Sequence, residues 1–265
     1  MAVEKIRGRT ALVTGASSGL GVDFAAQLAE KGCDLVLVAR RRQRLDLLAD
    51  ELKSKHGVQV TVIDMDLTTT DAAQKLFEAI TLDRKLEIDI LVNNAGFGLF
   101  GRFVDIPLER ETAMMQLDVV TLVQLTKLFS VDMLARDWGR ILQVASTGGY
   151  QSTPGYAAYA ACKAFVLSFG EAINYELRKT GVSCTVLSPG VTATEFLEVS
   201  GQEKNWYHRL TMMDSPTVAR IGLDAMLRRK PSIVAGWLNY LNTLTIRLSP
   251  RSTATAVAAR VMKAD

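Results

Sequence analysis

Seven short runs rich in Val, Ile, Leu and Ala recur along the 265 residues, and six of them are followed by a stretch long enough for a helix. The runs are Thr10–Thr14, Asp34–Ala39, Val58–Ile63, Asp89–Val92, Arg140–Ala145, Ser183–Leu187 and Ser232–Ala235. Between them the spacing predicts helices over Gly19–Lys31, Gln43–Lys55, Asp71–Asp83, residues 109–136, Ala157–Thr180 and about Thr217–Arg229. Strands this uniformly apolar are buried on both faces, the signature of a parallel sheet covered by helices. Strand–helix repetition at this interval builds right-handed crossover units, and so a doubly wound parallel α/β sheet of about seven strands with helices on both faces. No repeat, linker or low-complexity segment divides it, which predicts one domain over 1–265. Residues 192–215 lack a period and read as a mobile flap over the substrate, and residues 237–265 as a helical tail.

The turn after the first run is Thr14-Gly15-Ala16-Ser17-Ser18-Gly19-Leu20-Gly21. Glycines there let the backbone turn tightly and approach a pyrophosphate seated on the free N–H groups of the helix that follows. The plain alternative is an ordinary strand-to-helix turn. In such a Rossmann-type fold, selection of NAD places an acid at the end of the second strand, where it bonds the ribose 2′-hydroxyl. Here that strand ends in Arg40-Arg41-Arg42-Gln43-Arg44. Guanidiniums suit a 2′-phosphate instead, so the expected cofactor is NADP(H), with Arg40 the first contact and Arg44, one turn on, the second.

Tyr159 and Lys163 stand four apart at a helix start, which puts them on one helix face. A neighbouring ammonium favours the phenolate and lowers the phenol pKa toward neutrality. Ser146 closes the fifth strand, at the sheet edge where ligands bind in this class of fold. Together the three groups suit a proton exchange with a carbonyl or alcohol oxygen.

The motifs Thr14–Gly21, Asn93-Asn94-Ala95-Gly96, Ser146, Tyr159-x-x-x-Lys163 and Pro189-Gly190 resemble the short-chain dehydrogenase/reductase family over about residues 5–235. The runs GRILQVAST, KAFVLSFGEAINYELR and SPGVTATEF are similar to a bacterial group of general NADP-dependent oxidoreductases, distantly related to reductases of steroid and long-chain acyl metabolism. The resemblance implies that Tyr159 is the general acid/base, that Lys163 lowers its pKa and bonds the nicotinamide ribose, and that Ser146 orients the substrate oxygen. It implies pyrophosphate contacts from Gly15, Ser17, Ser18, Gly19, Leu20 and Gly21, and adenine contacts from Asp66 and Leu67. Asn93, Ala95 and Gly96 would lie beside the cofactor, and Pro189, Gly190, Thr192 and Thr194 would grip the nicotinamide carboxamide. The chain departs from the family at Asp118, where the family has Asn, which puts the family's proton relay to Lys163 in question. A cofactor-binding subunit without turnover, and an epimerase or dehydratase, are the rival functions.

The formal charge is only +3, and the arginine cluster is not extended into a basic face, which argues against nucleic acid. Three scattered cysteines, Cys33, Cys162 and Cys184, predict neither a disulfide framework nor a metal cage, and they fit a reducing, cytoplasmic setting. Only His56 and His208 exist, and His208, with Trp206 and Tyr207, could reach substrate. Phe97, Leu99, Phe100, Gly148, Tyr150 and Phe196 are the expected pocket walls, implying a small-molecule carbonyl or alcohol with an apolar part. No signal segment and no membrane span are predicted. Residues 206–265 carry nine Lys/Arg against three Asp/Glu. The tail from 237, apolar over Trp237–Leu248 with Arg247, Arg251, Arg260 and Lys263 as its cations, could lie on anionic lipid, but packing on the domain or on a second copy of a homo-oligomer is the favoured expectation.

Overall fold

The computed structural model describes residues 5–203 and 206–262. Its seven-stranded sheet has the order β3-β2-β1-β4-β5-β6-β7, with every neighbouring pair parallel. The strands are β1 Thr10–Thr14, β2 Asp34–Ala39, β3 Val60–Asp64, β4 Ile90–Asn93, β5 Gly139–Val144, β6 Val182–Ser188 and β7 Ser232–Val234. Within β1 the two-residue alternation sends side chains to two different cores. Ala11 and Val13 join Phe24, Leu28, Leu45 and Leu223 on one face, whereas Leu12 joins Leu76, Leu125 and Phe129 on the other. These partners belong to α1 Leu20–Glu30, α2 Arg42–His56 and α9 Ser215–Leu227 on the first face, and to α3 Ala72–Glu78 and α5 Leu122–Ala135 on the second. The strand order reverses between β1 and β4, so a crevice opens beyond their carboxyl ends.

Three helices depart from the sequence expectation. The predicted helix over 109–136 is continuous from Leu108 to Ala135, as α4 Leu108–Met115, a wider π-helical turn Gln116–Thr121, and α5. One such turn does not disturb the apolar spacing enough to be read from it, and such turns frequently sit at functional sites. α3 likewise runs into a π turn, Ala79–Asp83, and α6 Ala157–Glu176 ends in a 3₁₀ turn, Leu177–Lys179. The segment read as a mobile flap without a period contains α7 Phe196–Ser200 and α8 Trp206–Thr211.

The tail forms α10 Trp237–Leu248 and α11 Arg251–Met262. α10 lies on the domain, but with its polar side inward. Asn239 and Thr243 are buried, and Asn239 donates to the Ala235 carbonyl at 2.8 Å. Trp237 is 70% and Leu248 88% exposed, with Leu241 and Leu244 on the same outward stripe. Close approach to Gly190 and Gly236 suits the Asn239 side chain on that inward face. No described helix is long and apolar enough to cross a membrane.

Candidate active site

The crevice is a cleft of about 420 Å³ running from the β1–α1 turn past the end of β5 to α7 and α11. Gly15 and Gly19 have φ of +68° and +53°, a region open to glycine without steric cost. No side chain caps α1, and Gly19 and Leu20 at its start line the cleft, so its first N–H groups are left for a ligand there. Gly15, Ser17, Ser18, Gly19 and Leu20 line the cleft. Gly21 does not: a Cβ there would lie 2.2 Å from the Gly15 carbonyl oxygen, so it serves the packing of the turn. Thr14 ties the two strands at the reversal. Its hydroxyl donates to the Val92 carbonyl at 3.2 Å and accepts the N–H groups of Asn94 and Ala95, both at 3.0 Å. Ala95 and Gly96 line the cleft, but Asn93 is a correction. It is buried in the core, donating to Thr126 Oγ1 at 3.0 Å and Gln143 Oε1 at 3.1 Å, and its neighbour Asn94 faces the cleft instead. The alternation along β4 decides which of the two points inward.

Beyond β3, Asp66 and Leu67 form the cleft wall. Burial raises the Asp66 carboxyl pKa, but two bonds from Thr68 and the nearby charge of Arg40 outweigh it, and the net shift is downward. Arg40 lines the cleft. Arg44 differs from the expectation in its placement: it does not line the cleft but is bound to Glu195 at 2.7 Å, and Arg41 lines the cleft beside Arg40. On the opposite lip Pro189, Gly190, Thr192 and Thr194 are all present. Thr194 packs over Gly19, where an added Cβ would be 3.0 Å from the Thr194 methyl.

Ser146 lies two residues beyond β5 and caps the 3₁₀ turn Thr147–Tyr150, accepting the Gly148 N–H at 3.1 Å. Ser146, Tyr159 and Lys163 face the cleft together. Lys163 Nζ is 5.6 Å from the Tyr159 ring centre, donates to the Val144 carbonyl at 3.2 Å, and pairs with Asp118 Oδ2 at 2.9 Å. Asp118 comes from the π turn, is fully buried, and accepts the Phe97 N–H at 3.2 Å. Burial pushes the Asp118 carboxyl up against the pull of Lys163. Burial also pulls Lys163 down, but the Asp118 carboxylate and Tyr159 more than offset it, so the ammonium is held above its ordinary value. Tyr159 departs from expectation. Its phenol is raised, because burial and the Asp118 charge outweigh Lys163 and the hydrogen bond with Ser146.

At the far end Phe97, Gly148 and Phe196 form walls as expected, and the sequence reading missed Tyr156, Gln202, Asn242 and Met262, which join them. Tyr156 donates to Gln202 Oε1 at 3.0 Å and shares a hydrogen bond with Ser200 at 2.8 Å. His208 is buried in the wall, and burial lowers its pKa. The side chains of Trp206 and Tyr207 lie outside the described part of the chain. Leu99, Phe100 and Tyr150 are not in the walls: Leu99 is core, Phe100 packs behind Tyr156, and Tyr150 lies under Arg247. All three cysteines are free and buried, their thiols pushed up to about 11 at Cys162 and about 12 at Cys33 and Cys184, chiefly by burial.

The family model for short chain dehydrogenases matches residues 9–205. The chain belongs to the short-chain dehydrogenase family. A 7β-hydroxysteroid dehydrogenase of Mediterraneibacter gnavus is 32% identical over 197 residues, 74% of each protein. A solved structure titled for 7β-hydroxysteroid dehydrogenase stereoselectivity superposes with a TM-score of 0.87 at 26% identity, covering 98% of this chain and 100% of that one. A short-chain dehydrogenase from Sphingobium yanoikuyae, solved with NADPH, gives 0.80 at 30% identity over 91% and 94%. This short-chain dehydrogenase is accordingly an oxidoreductase that interconverts carbonyl and alcohol groups with a nicotinamide dinucleotide. Its cleft fits that group: a glycine turn with no room for Cβ atoms and uncapped helix N–H groups at one end, and a Ser-Tyr-Lys cluster at the other.

Proposed function

We propose that the chain is an NADP(H)-dependent carbonyl reductase or alcohol dehydrogenase acting on a small molecule with an apolar body. The observation that carries this is the single cleft shared by Arg40, the glycine turn, and Ser146, Tyr159 and Lys163. Arg40 is the residue assigned to the 2′-phosphate, and Lys163 to the ribose next to the nicotinamide. The bound cofactor supplies or accepts the hydride. Ser146 holds the substrate oxygen, and Tyr159 delivers its phenolic proton to that oxygen as the carbonyl becomes an alcohol. In the reverse direction the Tyr159 phenolate takes the hydroxyl proton. A phenol held above its ordinary pKa is ready as an acid at neutral pH but needs alkali to act as a base. Asp118 is a positioning residue: it fixes Lys163 and cancels part of the positive field that would stabilise a phenolate.

The aromatic wall of Phe97, Tyr156 and Phe196 supports an apolar substrate, in keeping with the hydroxysteroid dehydrogenase relative. The reading extends to one domain over 1–265, a cytoplasmic setting and a homo-oligomer, for which the outward apolar stripe of α10 offers a face to bury. NADPH oxidation against a panel of aldehydes, ketones and 3-oxoacyl compounds tests the reading. Turnover of apolar ketones is expected. Tight NADPH binding without turnover on any carbonyl would leave the silent cofactor-binding subunit as the better account.

A further inference from the structure

Glu195 has none of the roles assigned above, yet it sits at the junction of both halves of the cleft. It precedes α7, between Thr194, which packs over Gly19, and Phe196, whose ring lies 5.4 Å from that of Tyr159. Its carboxylate oxygens take two different guanidiniums. Oε2 accepts from Arg41 at 2.9 Å and Oε1 from Arg44 at 2.7 Å. Arg41 in turn donates through Nε to Ser17 Oγ at 3.1 Å, inside the glycine turn. The neighbouring Arg42 is committed elsewhere, to Asp46 and Asp64. Among the described residues, then, Arg40 is the one arginine of this cluster with no carboxylate bonded to it. The flap is thus fastened to the end of the second strand by a carboxylate placed among the cations that suit a ribose phosphate.

We propose that Glu195 stands in for the 2′-phosphate: it occupies Arg41 and Arg44 in the free protein and yields them when a 2′-phosphorylated dinucleotide binds. The inference rests on the NADP(H) reading. A phosphate carries more charge than a carboxylate and three strong acceptor oxygens, so it outcompetes Glu195 for fork-shaped donors. The contacts it displaces are weak, because side chains 40–50% exposed hold such pairs loosely. The Glu195 carboxyl is held down to about 2 by Arg44 and Arg41, so the competitor is ionised throughout the working pH range. NAD(H) brings no anion to this point and leaves the latch closed. Cofactor choice and the position of the Phe196 wall are therefore one linked equilibrium, and the linkage is reciprocal.

The test uses the whole chain and two readouts, neither of them turnover. Calorimetric titration compares NADPH with NADH on wild type and Glu195→Gln. The variant should bind NADPH about three- to tenfold more tightly, the size expected for freeing one exposed ion-pair cluster, with NADH moved by less than about twofold. Trypsin cleavage after Lys204 or Arg209 reads the flap. In wild type, adenosine 2′,5′-bisphosphate should speed cleavage and adenosine 5′-monophosphate should not, whereas Glu195→Gln should be cut quickly without either. Unchanged or weaker NADPH binding by the variant, or cleavage insensitive to the bisphosphate, overturns the proposal. Failure of the cofactor reading looks different: wild type would bind NADPH and NADH equally, and Arg40→Ala would change neither.

Discussion

Two ionic clusters of nearly equal bond length border the same cleft, and they behave as different materials. Lys163 and Asp118 meet at 2.9 Å with side chains 7% and 0% exposed. Arg41, Arg44 and Glu195 meet at 2.9 and 2.7 Å with side chains 40–50% exposed. Buried charges are costly to leave alone, so the first pair is fixed: neither partner can leave without stranding the other. The second is bathed in water and salt, contributes about 0–1 kcal/mol per pair, and can be exchanged for another anion. Contact distance alone would rank them together. Their surroundings assign one to holding the chemistry in place and the other to a movable lip.

Removing the proposed acid/base has the largest expected effect. Tyr159→Phe should reduce turnover by about a thousandfold or more while NADPH still binds, since no other group in the cleft offers a proton at that point. Steady-state kinetics beside cofactor titration checks it, and near-normal turnover would sink the assignment. Next comes the buried pair. Asp118→Leu strands the Lys163 ammonium and should lower the unfolding free energy by about 3–5 kcal/mol, read from urea denaturation. A loss under about 1 kcal/mol would mean the pair is no more fixed than a surface pair.

The cations at the lip should give smaller changes. Arg40→Ala should erode the preference for NADPH over NADH by about tenfold, ~1.4 kcal/mol, chiefly through the KM for NADPH. Equal use of both cofactors by wild type would remove the basis for that prediction. Smallest of all, raising ionic strength to about 0.5 M should loosen the Glu195 latch and raise trypsin cleavage of the flap about twofold, leaving the urea midpoint difference between wild type and Asp118→Leu unchanged. Equal salt sensitivity of both would erase the contrast.

What could be read from the sequence follows the same division. Local spacing is enough to place Tyr159 and Lys163 on one helix face, and the glycine turn after the first apolar run needs only the order of the elements. Two choices needed the packed sheet: Asn94 rather than Asn93 facing the cleft, and Arg41 rather than Arg44. Each depends on which way a side chain leaves a strand or helix end. The raised Tyr159 phenol was hidden for a related reason. The sequence marks Asp118 as a departure beside the relay, but the burial of the Tyr159 phenol, the larger cause, and the 2.9 Å contact that brings the Asp118 charge to Lys163 belong to the packed site and its π turn. Glu195 gave no local signal at all, since its partners lie about 150 residues earlier. Which face of α10 turns inward was not legible either: Asn239 lies against Gly190 and Gly236, neighbours that only the packed tail brings together.

Burial, together with the carboxylate beside Lys163, keeps Tyr159 a phenol. The most direct measurement is the pH dependence of kcat/KM in the alcohol-oxidation direction for wild type and Asp118→Asn. Asparagine keeps the side-chain size and an acceptor for the Phe97 N–H but removes the negative charge, so Lys163 acts on the phenolate with its full field and the Tyr159 pKa falls. The rising limb of the profile should move acidward, with the maximal rate kept within about tenfold, 1.4 kcal/mol of barrier. A limb that stays put, or an Asp118→Asn protein as inactive as Tyr159→Phe, would contradict this and would give the carboxylate a proton-handling role of its own.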